Sequence, residues 1–239
     1  MATTVAKKFP WWLSPLTVVT VLSGFGVYAT WAVFAGRDYW VDPYLSPFYS
    51  PLLVFPWWPF SPAILLMWIP LGFRLTCYYY RKAYYRSFFW DPPACARPEG
   101  RGRRYSGETR FPFILQNLHR YFLYGSIVVW IFLFIDVVHA VSFEGQFGIG
   151  LGSVLFLANV IFLGLYTFSC HSFRHIIGGN LDCFSCSLAS QARHTVWEGI
   201  SALNRNHMLW AWMSLFSVVL SDLYVRLLAW GVIQDIRFF

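Results

Sequence analysis

Residues 145–173 read GQFGIGLGSVLFLANVIFLGLYTFSCHSF and contain no Asp, Glu, Lys or Arg. A helix needs about 20 predominantly apolar residues to cross the hydrocarbon of a bilayer, and this run exceeds that. Residues 43–73 form a second stretch with none of the four charged residue types. Across the chain 57% of residues are hydrophobic and only 12% charged, against about 25% charged in ordinary soluble domains. Too few charged side chains remain to solvate a soluble surface. A membrane β-barrel would show alternating segments of about ten residues instead of long apolar runs. The reading is an all-α integral membrane protein, an up-and-down bundle of about five transmembrane helices forming a single domain over residues 1–239.

The spans are expected at roughly 15–35, 61–80, 118–141, 147–170 and 208–232. The first is bounded by Lys7-Lys8 and Arg37-Asp38 and reads as an uncleaved helix, since no clean small-residue cleavage site follows it. Prolines 47, 51, 56 and 59, with Trp57 and Trp58, mark residues 43–59 as a re-entrant or interfacial segment. Pro70 is expected to kink the second span. The net charge of +7 does not point to nucleic acid, because the basic residues fall between apolar runs. They gather in loops 81–117 and 171–207, which the positive-inside rule assigns to the cytoplasm along with the N-terminus.

Potential ligands fall unevenly over this topology. His119, His171, His175, His194 and His207 lie at or near the cytoplasmic side, as do Cys77, Cys95, Cys170, Cys183 and Cys186; only His139 lies near the other. The densest piece is Cys170-His171-Ser172-Phe173-Arg174-His175, whose histidines at i and i+4 share one helix face. Cys183 and Cys186 follow as a C-x-x-C pair. Two histidines and two cysteines in this stretch would satisfy zinc or a Rieske-type [2Fe–2S] centre; they would equally serve as polar caps at an interface. The odd cysteine count does not resemble a disulfide framework. His119 with Arg120, and His207, each open a span and could bind a quinone carbonyl or cap a helix start. Arg74, inside the second span, wants an anion or water, or snorkels to the interface. Asp136 and Asp222 are expected to pair with neighbours.

Three segments carry a family resemblance: Arg74-Leu-Thr-Cys-Tyr-Tyr-Tyr-Arg-Lys-Ala-Tyr-Tyr-Arg86, Gly107-Glu-Thr-Arg-Phe-Pro-Phe-Ile-Leu-Gln-Asn-Leu-His-Arg-Tyr121 and Ser169-Cys-His-Ser-Phe-Arg-His-Ile-Ile-Gly-Gly179. From about residue 60 to its end the chain resembles the membrane anchor of actinobacterial-type succinate dehydrogenases, the branch with one large anchor subunit. The resemblance implies flavoprotein and iron–sulfur partner subunits that oxidise succinate in the cytoplasm. This chain would then sit in the plasma membrane, dock the iron–sulfur subunit and pass electrons to a quinone, menaquinone by expectation. The resemblance further implies a membrane-embedded Rieske-type [2Fe–2S] cluster in place of haem b, with Cys77, Cys95, Cys170, His171 and His175 as the candidate ligands. Cys183 and Cys186 are the runner-up pair. His119, Arg120 and His207 are the candidate quinone-binding residues.

The chain lacks the C-x-H…C-x-x-H loops of soluble Rieske domains, which leaves haem b open as the alternative, with His119, His171 or His207 as axial ligands. The first span has no histidine, against two haems. Two other classes compete. A desaturase-like lipid enzyme needs more His-rich boxes than six scattered histidines supply. A transporter or purely structural anchor would place charges and broken helices at midplane, often in repeated halves, and no repeat is visible. Succinate chemistry needs a flavin, and no G-x-G-x-x-G is present, so the chain alone is not expected to oxidise succinate.

Overall fold

The computed structural model describes residues 10–89, 109, 111, 113–143, 145–179 and 181–238. Among these are eight α-helices: α1 (Leu13–Ala35), α2 (Ile64–Thr76), α3 (Tyr78–Phe89), α4 (His119–His139), α5 (Leu151–Phe168), α6 (His171–Gly178), α7 (Leu188–Asn204) and α8 (His207–Ala229). Two short antiparallel hairpins, β1 (Trp40–Val41) with β2 (Tyr44–Leu45) and β3 (Ser142–Phe143) with β4 (Gln146–Phe147), cap one end. Helices α1, α4, α5 and α8 are each long and apolar enough to cross a membrane.

The span expected over residues 61–80 is built differently. The 13 residues of α2 cover only about 20 Å at 1.5 Å per residue, less than the roughly 30 Å hydrocarbon core. Two local features end this helix. Pro70 removes one helical hydrogen bond, and Thr76 turns its hydroxyl back onto the Gly72 carbonyl at 2.6 Å, a contact that bends helices. Cys77 then takes an extended conformation (φ −66°, ψ 128°), and α3 restarts at Tyr78 in a new direction.

Helices α5 and α8 form the most extensive pairing, with α4 against α5 and α2 against α4 completing the bundle. The α2–α4 approach depends on two glycines. A Cβ on Gly72 would collide with the Phe122 ring, and one on Gly125 with the Ile69 side chain. Small residues are what let membrane helices come this close. Gly72→Val is expected to push α2 off α4 and cost about 1–3 kcal/mol, the usual penalty of overpacking. Thermal unfolding of the detergent-solubilised protein reads this out; an unchanged midpoint would contradict the close approach.

Two apolar layers occupy opposite ends of the bundle. One gathers Val129, Leu133, Val137, Phe156, Val160 and Val225 at the hairpin end. The other gathers Phe73, Cys77, Tyr80, Leu123, Tyr166, Cys170 and Ala211 at the end bearing α3, α6 and α7. Large apolar side chains on the outside, such as Val27, Phe34, Phe132 and Ile161, are exposed. In a membrane that is the face offered to lipid, which is as apolar as they are.

At the hairpin end the Pro-rich segment divides. Residues 46–50 are buried, while Val54, Trp57 and Phe60 lie on the surface. The buried part meets an ion pair between Asp222 and Arg226 at 2.9 Å, both wholly enclosed. Tyr28 donates to Asp222 at 2.5 Å and Ser46 donates to its other oxygen. Arg226 donates to the carbonyls of Arg37 and Ala32, each at 3.1 Å, and lies over the Trp31 ring. The pairing expected of Asp222 is thus with the residue one turn along, and it stitches α1 and the 46–50 segment to α8. A second lock uses Asp235, which accepts from Tyr44 at 2.7 Å, Tyr224 at 2.5 Å and the Gly152 N–H at 3.2 Å. A carboxylate at the first turn of α5 also suits that helix's dipole.

Candidate functional site

Four ligand-type side chains meet at the opposite end, each from a helix end. Cys77 occupies the break between α2 and α3; His119 opens α4; Cys170 precedes α6 in extended backbone (φ −62°, ψ 141°); His207 opens α8. Cys77, Cys170 and His207 are all but completely buried, at 2%, 2% and 1% exposure, and His119 is half-buried.

The side chains form two thiol–imidazole pairs. His119 Nε2 is 3.1 Å from Cys170 Sγ, and His207 Nε2 is 3.5 Å from Cys77 Sγ. The far nitrogens are held alike. His119 Nδ1 lies 2.9 Å from the Thr76 hydroxyl, which itself donates to the Gly72 carbonyl. His207 Nδ1 lies 2.7 Å from the Ser169 hydroxyl, which donates to the Tyr166 carbonyl. A hydroxyl has one hydrogen to give. With that hydrogen committed, each hydroxyl accepts from Nδ1–H, and each Nε2 keeps its lone pair free toward sulfur. An imidazole with one nitrogen fixed by an outer partner and the other lone pair free is the pose of a metal ligand.

Ring packing fixes the imidazoles further. Phe73 stacks on His119 with centroids 4.7 Å apart and planes 7° from parallel. Tyr166 stacks on His207 at 5.1 Å, with Tyr79 on it at 5.0 Å. Tyr166 is wholly buried, and its hydroxyl, beside Cys77, makes no hydrogen bond of ordinary geometry, an uncommon condition in a protein interior. Among the described residues no three or more His, Cys, Asp or Glu side chains close on one point as a mononuclear ion would require.

The ligands expected from the sequence divide on this geometry. Cys77 and Cys170 come together in one packed cluster. His171 and His175 are exposed on α6, where His175 Nδ1 takes a hydrogen bond from Arg120 at 2.9 Å. Cys95 lies outside the described residues. Cys183 and Cys186, the runner-up ligand pair, are joined in a disulfide, with their Cα atoms 5.7 Å apart, which withdraws the sulfurs from ligand duty. His119 and His207, expected at the quinone because each opens a span, occupy the places beside the thiols. The signal that finds them is topological. Cys77 and Cys170 end their spans and His119 and His207 begin theirs, so antiparallel packing brings all four to one end of the bundle.

Around the site the polar side chains brace the helix ends. Asn204 donates to the Ser169 carbonyl at 2.6 Å. Arg193 binds the carbonyls of Ile177 and Gly179, at 2.9 and 3.2 Å, tying α7 to the end of α6. Tyr84 donates to the Leu75 carbonyl at 2.7 Å and accepts from Gln116 at 3.0 Å. Burial pushes the Tyr84 phenol up to about 12, so it remains a neutral donor at physiological pH.

Fold and site together define a multi-pass membrane subunit with thiols and imidazoles gathered at one end. Residues 13–231 match the family described as the actinobacterial succinate dehydrogenase subunit SdhC. A chain of the Mycobacterium smegmatis Sdh1 complex in the apo form is similar to this one, with a TM-score of 0.85 and 42% identity, covering 99% of this chain and 94% of that one. Comparison with curated proteins finds no match. The chain belongs to the actinobacterial SdhC family, as a membrane subunit of a succinate dehydrogenase complex, and its partners are the other subunits of that complex.

Proposed function

We propose that this chain is the electron-transferring anchor of a succinate:quinone oxidoreductase, and that Cys77, Cys170, His119 and His207 hold a Rieske-type [2Fe–2S] centre. The observation that carries the reading is the meeting of two buried thiols and two imidazoles with Nε2 free, drawn from positions up to 130 residues apart. A Rieske-type centre asks for two cysteines on one iron and two histidines on the other, so four donors suit it where no three share a point. The buried Tyr166 hydroxyl fits as well, as a weakly satisfied donor beside Cys77. When bound, the group supplies one-electron transfer between the iron–sulfur subunit and quinone.

The residues of the chain do the rest. Thr76 and Ser169 fix the imidazole tautomers, and Phe73, Tyr79 and Tyr166 exclude water and hold the rings. The flavoprotein and iron–sulfur subunits dock on the end bearing α3, α6 and α7, which the positive-inside rule puts in the cytoplasm together with the N-terminus. Arg81, Lys82 and Arg86 on α3 supply complementary charge for that contact. With His119 and His207 engaged as ligands, Arg120 alone of the three quinone-directed residues stays available to a quinone, and menaquinone is the proposed acceptor. This chain by itself does not oxidise succinate. The test is to reduce the purified complex and record visible and low-temperature EPR spectra together. A Rieske-like signal with no haem bands supports the reading; haem bands without that signal overturn it.

A further inference from the structure

Arg74 is the one charged residue within α2, and it does not snorkel. Its guanidinium turns inward, donating to the Tyr80 hydroxyl at 2.7 Å, the Ser214 hydroxyl at 3.1 Å and the Ala211 carbonyl at 3.3 Å. Those three partners are themselves buried. The cation also lies 4.9 Å from the centre of the Tyr166 ring. Every one of these partners is neutral. Among the described residues no carboxylate pairs with Arg74, which is itself part-buried, whereas the wholly enclosed guanidinium of Arg226 has Asp222.

A cation in a low-dielectric interior is expensive unless an anion offsets it. Neutral dipoles satisfy its hydrogens and leave its charge unbalanced. Arg74 adjoins the thiol–imidazole group through its neighbours. Cys77 lies three residues along, its N–H donating to the Arg74 carbonyl. Tyr166 bridges the two, with Arg74 over its ring and His207 stacked on it.

We propose that Arg74 is the counter-charge of the thiol–imidazole site, a positioning residue whose uncompensated guanidinium stabilises the cysteine thiolates and the negative charge added when the site accepts an electron. This rests on the reading of that site as a [2Fe–2S] centre. An electron taken from the reduced iron–sulfur subunit without a proton would leave the site with one more negative charge. Arg74 makes that gain less costly and raises the midpoint potential. Tyr80 and Ser214 hold the guanidinium without cancelling its charge, as an aspartate there would.

The test is an EPR-monitored redox titration of the whole complex carrying Arg74→Gln or Arg74→Lys. Arg74→Gln is expected to keep the signal and lower the midpoint, by on the order of tenfold in the one-electron equilibrium, which is about 59 mV. Arg74→Lys, which keeps the charge, is expected to stay much nearer the wild type. An unchanged midpoint in Arg74→Gln overturns the proposal, as does equal loss of signal in both variants, which would make Arg74 purely structural. If the wild-type complex gives no such signal, the reading of the site itself fails, an outcome separate from either.

Discussion

Alanine at His207 or at Cys170 is expected to remove the proposed low-temperature signal of the reduced complex, whereas alanine at His171 or His175 is expected to leave it in place. The first two residues are buried and point at one another's thiol and imidazole partners, His207 toward Cys77 and Cys170 toward His119. The second two are exposed on α6, and neither is among the side chains that pair with the thiols. Even outer partners of a metal ligand typically cost 10–100-fold in affinity when removed, and removing a ligand goes further, so the expected effect is loss of the signal rather than a shift. Succinate oxidation with a water-soluble dye, which draws electrons from the soluble subunits, serves as the control for assembly. Loss of signal in His171→Ala with retention in His207→Ala would return the ligand set to the i, i+4 pair.

Asp222→Ala is expected to destabilise the anchor by about 3–5 kcal/mol, the cost of leaving a buried charge without its partner. Arg226 is wholly enclosed beside Asp222 at 2.9 Å, and its other partners are two backbone carbonyls and the Trp31 face. The loss spreads, because Tyr28 and Ser46 lose their acceptor in the same substitution. Tyr28→Phe removes only one of those bonds and is expected to cost about 1 kcal/mol. Thermal unfolding of the detergent-solubilised protein orders the two. Replacing Asp222 and Arg226 together by apolar residues should recover part of the loss, since a buried pair and its apolar substitute are often close in energy. Equal effects from Asp222→Ala and Tyr28→Phe would show that the pair does not hold α1 to α8.

Much of the fold was legible because lipid imposes a simple rule: every spanning segment must satisfy its own backbone in apolar surroundings. The long, charge-poor apolar runs led directly to α1, α4, α5 and α8. The second span was legible as an apolar segment and Pro70 as a flaw in it, but the stop at Cys77 was not. That stop goes with Thr76 folding back on the Gly72 carbonyl, a local contact that the apolar pattern does not announce. The site was legible as a class of chemistry and a side of the bundle. Its members were not, because His171 and His175 carry a strong local pattern while the pairing of His119 and His207 with the thiols is non-local. Nothing in the stretch Asn204-Arg205-Asn206-His207 distinguishes a helix cap from a ligand until Cys77, 130 positions earlier, is seen beside it. Arg74 was legible as an anomaly, and its inward turn toward neutral partners was not.

The most direct measurement is pulsed EPR on the reduced, intact complex, counting the nitrogen nuclei strongly coupled to the paramagnetic centre, in the wild type and in His119→Ala. Two imidazole nitrogens in the wild type, with the signal lost in the variant, is the predicted result. A centre with no coupled nitrogen, or one whose couplings persist unchanged in His119→Ala, would contradict the account.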